Sequence, residues 1–170
     1  MFVVFNCVSQ RNNDEELAMQ FYELKQFDKA VVYFGKLFDK SPDAYYSYYF
    51  KCLLATKEYI RAEKITKKQI KRNSSNSYLY VQLGSVYKLQ GNIDKEKEQY
   101  SKAIKELIPE QNNVFTLAHA FDDLELYDYA IDVYKKGRAQ NPTTYPYYYE
   151  IADMYKKNGD VKAMVNEYLD

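Results

Sequence analysis

Two series of residues recur along this chain in step with each other. A residue that follows an apolar side chain and stands three places before an aromatic or apolar one falls at Ala18, Phe50, Gly84, Ala118 and Ala152, at steps of 32, 34, 34 and 34. A second landmark, Ala30, Ala62, Glu96, Ala130 and Met164, keeps the same steps. Two independent series drifting together point to an array, in which each unit meets only its neighbours and the core runs along the stack. The clearest unit reads as a helix through Tyr80-Val81-Gln82-Leu83-Gly84-Ser85-Val86-Tyr87, a turn at Gly91-Asn92 and a second helix through Tyr100 and Ala103. Gly84 supplies a small residue where two helices must touch, and Gly91 accepts positive φ.

Leu83-Gly84-x-x-Tyr87 in the third unit, Ala30 with Phe34 and Pro42 in the first, and Ala130 with Tyr134 and Pro142 in the fourth resemble the tetratricopeptide repeat (TPR) family. The resemblance covers residues 11 to 170. It implies an all-α fold, a right-handed α-solenoid of stacked antiparallel helix pairs forming a TPR-like superhelix. The units are 11–42, 43–76, 77–110, 111–144 and an incomplete 145–170, with an array running over 10–170. Phe50 where a small residue is usual, Thr66 where an aromatic is usual, and Glu96 and Met164 where alanine is usual depart from the pattern. They bear on close packing, above all in the second unit.

Catalytic and metal chemistry find little material here. The single histidine, His119, leaves no multi-histidine zinc site, and no cofactor is expected. Cys52 and His119 could in principle serve as nucleophile and base. The array puts them on the first helices of the second and fourth units, and helices packed about 8–10 Å apart hold such side chains well beyond reach. Asp122 and Asp123 are adjacent on a helix and point apart. No glycine-rich phosphate loop is present, so the expectation is a protein without enzymatic activity.

Charge gives no global pull on a partner, since Lys plus Arg and Asp plus Glu are 24 each. Arg61, Lys64, Lys67, Lys68, Lys71 and Arg72 surround a thin stripe of Ile60, Ala62, Ile65 and Ile70 and read as a solvated face. A nucleic-acid contact through residues 61–72 is the rival reading. The 20 tyrosines and 9 phenylalanines mostly occupy packing positions of the repeat. The run Tyr45-Tyr46-Ser47-Tyr48-Tyr49-Phe50 is too aromatic for all of it to face one core, which predicts that some of these rings are exposed in the groove or pack on the neighbouring unit.

At the start, Met1-Phe2-Val3-Val4-Phe5 and Cys7-Val8-Ser9 over residues 1–9 look like the end of a secretory signal, which predicts export to a bacterial periplasm or cell envelope. The alternatives are a short apolar arm over the first helix in a cytoplasmic protein, or a lipidated Cys7. The stretch is too short to span a bilayer. Asn12 or Asn13 then reads as an N-cap, with Asp14-Glu15-Glu16 in the first turn. Asn73-Ser74-Ser75-Asn76-Ser77 is the longest polar connection and a candidate joint. Further repeats or another domain are expected beyond Asp170, because no polar capping helix closes the array.

The resemblance implies that a concave face, lined by the first helices, holds extended or helical protein segments. The lining positions it implies are Asn12, Glu15, Met19 and Tyr22 in the first unit and Ser47, Lys51 and Leu54 in the second. They continue with Tyr78, Val81, Ser85 and Lys88, then Asn112, Phe115, His119 and Asp122, and end with Tyr149, Asp153 and Lys156. Aromatic anchors among single charges suit recognition of a protein or peptide ligand. The family's carboxylate-gripping set of lysines, arginines and asparagines is not matched, with Glu15, Met19, Val81 and Ser85 at the corresponding places. A regulatory arm of a larger signalling protein or enzyme is the other reading.

Overall fold

The computed structural model describes residues 3–169, with side chains from Asn13 onward. The reading of Met1–Gln10 as a signal remnant therefore concerns side chains outside the described residues. Among the described residues the chain forms ten α-helices and no strand, and no helix is long and apolar enough to cross a membrane. Two compact units divide at the predicted polar joint: one ends at Arg72 and the other begins at Asn73.

The first unit holds α1 (Val3–Glu23), α2 (Phe27–Lys40), α3 (Pro42–Ala55) and α4 (Tyr59–Arg72), each packed on the next. The second holds α5 (Tyr78–Leu89), α6 (Ile93–Lys105), α7 (Gln111–Asp122), α8 (Tyr127–Gln140), α9 (Tyr148–Lys157) and α10 (Val161–Leu169). There α5 pairs with α6, α7 with α8 and α9 with α10, while α5 also meets α7 and α6 meets α8, as stacking of antiparallel pairs requires. Both landmark series are structural: Ala18, Gly84, Ala118 and Ala152 are buried, and so are Ala30, Ala62 and Ala130.

A third series emerges in the turns. Lys25, Lys57, Gly91, Glu125 and Gly159 all have positive φ, again 32, 34, 34 and 34 residues apart. In each turn that residue's N–H donates to the carbonyl three residues back and the next N–H to the carbonyl five back, at 2.8 to 3.1 Å. This is the Schellman closure, which satisfies the last carbonyls of the first helix and reverses the chain. Glycine fills only two of the five places, which is why composition alone hides the series. Asn92 and Asp160, the following residues, accept from the N–H of Lys95 at 3.2 Å and Ala163 at 2.9 Å and so cap α6 and α10.

Three expectations need correction or refinement. The first helix does not begin at Asn12 or Asn13; α1 runs from Val3, so Asp14, Glu15 and Glu16 lie well inside it. With no proline or glycine between Val3 and Glu23, a polar residue alone does not break the helix. Asp14 instead pairs with Lys36 of α2 at 3.6 Å. Second, of the two places expected for the aromatic run of α3, the groove is not the one taken and the rings pack on the neighbouring repeat: Tyr45, Tyr46, Tyr49 and Phe50 are buried and Tyr48 is half-buried. Tyr45 and Tyr48 meet Phe34 of α2, Tyr49 meets Phe38, and Tyr46 turns toward α4, so α3 is covered from two sides. Third, Ile60 is 82% exposed and leaves the α4 stripe. Buried Thr66 takes an aromatic's place, accepting from the Tyr46 hydroxyl at 3.0 Å and donating to the Ala62 carbonyl at 2.8 Å.

Candidate functional site

In the second unit three of the predicted lining residues, Tyr78, Phe115 and Tyr149, border two clefts, one on each flank of α7, and the other predicted positions on α5, α7 and α9 line neither. On one flank, a cleft of about 360 Å³ is lined by Ser75, Asn76, Ser77, Tyr78, Ile108, Asn113, Thr116 and Leu117. Its polar groups carry no charge and are largely satisfied locally: the Asn113 amide donates to the Ile108 carbonyl at 3.3 Å, and the Asn76 side chain accepts from the Tyr78 N–H at 3.2 Å. On the other flank, a cleft of about 200 Å³ is lined by Gln111, Phe115, Thr144, Tyr145, Pro146, Tyr147, Tyr148, Tyr149 and Glu150. Asn112 and His119 are exposed between the two sets of α7 residues, and the His119 ring stacks on Phe115 with centroids 6.1 Å apart.

The aromatic cleft is built by a strained turn. Tyr147 caps α9 with φ 55°, a left-handed conformation that costs a non-glycine residue on the order of 1 kcal/mol. Burial recovers it: Tyr147 packs at 5.7 Å from Phe115 and 5.4 Å from Tyr134. Arg138 of α8 holds the turn from behind, donating through Nε to the Pro146 carbonyl at 2.6 Å and lying 4.8 Å from the Tyr148 ring centre. Its guanidinium also pairs with Glu167 of α10, a largely buried carboxylate. Gly137 on α8 is required by the same packing, since a Cβ there would stand 2.9 Å from both Tyr147 and Val114.

Charges on this face are partly spent within the fold. Lys157 bridges Asp122 at 2.7 Å and Asp153 at 3.2 Å, and the Asp122 hydrogen bond is the chief reason its ammonium titrates above the usual lysine range. Asp122 and Asp153 thus reach solvent as members of a triad whose cation, Lys157, the sequence reading did not single out. Lys156 and Lys88 are exposed, as is Tyr78, and Tyr149 is 77% exposed. Ser85 is half-buried and donates to the Val81 carbonyl at 3.1 Å. Val81 is the plain failure: at 2% exposure it belongs to the core, because its place on α5 faces the adjoining helices. The residues missed are the neighbours of Tyr149; the aromatic run Tyr145-Pro146-Tyr147-Tyr148 was the available signal.

In the first unit, Ser47 and Lys51 are exposed and Glu15 is too, whereas Met19 and Leu54 are half-buried. Tyr22 is half-buried with its edge on Phe27, Phe34 and Tyr48, so it serves packing more than display. The α4 cations are partly engaged: Arg61 bonds Glu58 and the Tyr49 hydroxyl, and Lys67 bonds Glu63 at 2.7 Å. Arg61, Lys64 and Lys68 border a cleft of about 180 Å³ with Phe38, Asp39, Tyr49 and Ile65. Cys52 is buried, and burial pushes its thiol up to about 11, away from the thiolate a nucleophile needs. Among the described residues no group of three or more His, Cys, Asp and Glu side chains could hold a metal ion.

A family model described as tetratricopeptide repeat matches residues 77–106, the helix pair α5–α6. Solved structures share the architecture of nearly the whole chain. A Podosopora anserina putative kinesin light chain with nearly identical TPR-like repeats is 14% identical, covering 94% of this chain and 92% of its own, at a TM-score of 0.54. MamA protein is 18% identical, covering 93% of this chain and 87% of its own, at a TM-score of 0.50. At such identities the likeness is one of fold. No curated protein matches this chain in sequence.

Proposed function

We propose that this chain, whose α5–α6 pair matches the tetratricopeptide repeat model and whose fold is that of tetratricopeptide-like arrays, is a non-enzymatic scaffold holding an extended segment of a partner protein across α5, α7 and α9. The observation that carries the reading is the pair of clefts flanking α7, with exposed Tyr78 at one and exposed Tyr149 at the other. α7 is about 10 Å wide with its side chains, and an extended chain rises about 3.3 Å per residue. A segment crossing α7 from cleft to cleft therefore needs about three residues between its anchors. Exposed rings at both ends supply rigid contact area at low entropic cost, and Asn112, Asn113 and Thr116 supply hydrogen-bonding groups to a main chain between them.

The test is a random-peptide display selection on the full chain, followed by NMR titration of the enriched peptides. Resonances of α5, α7 and α9 are expected to shift while those on the far side of α6 and α8 stay put, and Tyr149→Ala is expected to weaken binding roughly tenfold or more. Shifts confined to α6 and α8, or no enrichment at all, defeat the reading.

A further inference from the structure

We propose that the aromatic cleft beside α9 seats a cationic side chain, arginine or lysine, of the segment held in the groove; this deepens the scaffold reading and rests on it. The charge inside the cleft is the first ground. Glu150 is the sole ionisable acid or base among its lining side chains apart from the tyrosines, and it is half-buried. It has no ion pair or hydrogen bond through its carboxylate among the described residues, whereas Asp14, Glu58, Glu63, Asp122, Asp153 and Glu167 are all paired. A carboxylate drawn halfway out of water without a countercharge is a site that gains from a cation.

The rings supply the second ground. Elsewhere in this unit the fold lays cations on its tyrosines, Lys95 over Tyr87 at 5.3 Å, Lys102 over Tyr80 at 5.1 Å and Lys135 over Tyr155 at 5.4 Å, and in the cleft wall Arg138 lies over Tyr148 at 4.8 Å. Tyr149, Tyr145 and Phe115 carry no such cation among the described residues, although Tyr149 stands open to solvent and meets only the Tyr168 ring, 6.0 Å away. Ring faces attract ammonium and guanidinium groups, most strongly where the site is partly desolvated. Burial raises the hydroxyl titration of Tyr147 and Tyr134, and Glu150 is the next cause for both, so its negative field reaches the cluster.

Two opposing charges are close. The N-terminus of α9 carries about half a positive charge, less than the full carboxylate that sits on its first turn. Arg138 lies behind Tyr148 but is committed to Glu167 and to the Pro146 carbonyl, which leaves Glu150 without it. The balance in the cleft is negative and aromatic, which disfavours an acidic side chain and favours a basic one.

Peptides enriched on the full chain decide the matter. They are expected to share one arginine or lysine, and replacing it by citrulline or acetyl-lysine, which keep the shape and lose the charge, is expected to lower affinity at least tenfold, read by fluorescence anisotropy. On Glu150→Gln the same replacement is expected to cost under about threefold, with Tyr149→Ala as a second variant at an exposed position; far-UV circular dichroism verifies that both fold. Enriched peptides that lack a basic residue, or an equal loss on wild type and Glu150→Gln, overturn the cation site and leave the scaffold standing. No enrichment defeats both.

Discussion

Gly84→Ala tests the close approach of α5 and α6. Alanine favours a helix interior over glycine by about 1 kcal/mol, so propensity alone predicts a gain. The structure reverses the sign: a Cβ on Gly84 would stand 2.6 Å from Cδ1 of Tyr100 and closer still to Cε1. Tyr100 has nowhere to go, being buried with its ring edge-on to Phe121 at 5.5 Å and Tyr129 at 5.4 Å. Overpacking of this kind costs about 3 kcal/mol, which leaves a net loss of about 2 kcal/mol after the propensity gain. For a chain of this size that lowers Tm by roughly 4–8 °C. Thermal melts followed by circular dichroism measure it. Gly35→Ala is the control, because its Cβ would meet the hydroxyl end of Tyr49 at 3.2 Å and needs only a small shift. It is expected to hold or raise Tm. Adding Tyr100→Leu to Gly84→Ala should restore part of the loss. A Gly84→Ala protein as stable as wild type would mean that α5 and α6 do not approach as described.

The turns and the buried tyrosines offer two further tests. Glu125 and Lys57 sit in left-handed turn positions that cost an L-residue roughly 1–2 kcal/mol, while glycine's extra freedom in the unfolded chain returns part of that. Glu125→Gly and Lys57→Gly are each expected to stabilise by about 0.5–1 kcal/mol in urea unfolding, and a loss in either would refute the Schellman assignment there. Burial raises the Tyr100 hydroxyl from 10.0 to about 12, so the folded state holds its proton more tightly than the unfolded state. That contribution is complete below pH 10 and is lost as pH rises through 12, roughly 2–3 kcal/mol in all. Urea unfolding from pH 9 to 12 should show wild type losing this stability relative to Tyr100→Phe, and parallel curves would contradict it.

Much of the architecture is legible from spacing, because a repeat writes the same packing problem several times. Ala30, Ala62 and Ala130 are small where second helices are crowded, and Gly84 is small where Tyr100 enters. The site is less legible. Tyr149 is exposed and Phe115 half-buried, but Val81, which stands two and one repeat steps before them in the same register, is buried. Lys157 was overlooked because its role depends on reaching Asp122, 35 residues earlier, across two helices. Nor does the string of tyrosines in α3 announce which neighbours will cover it.

Local chemistry written in the sequence determined the helix pairs, their period, the turns between them and the small residues at their crossings, since each of these follows from backbone preference and side-chain size within one unit. Tertiary structure alone decided that α1 extends back to Val3, that Val81 and the α3 rings are enclosed, and that Glu150 is left without a countercharge among tyrosines. Burial and pairing are properties of what surrounds a residue, and neighbours from other helices are set by packing that no single stretch of chain encodes.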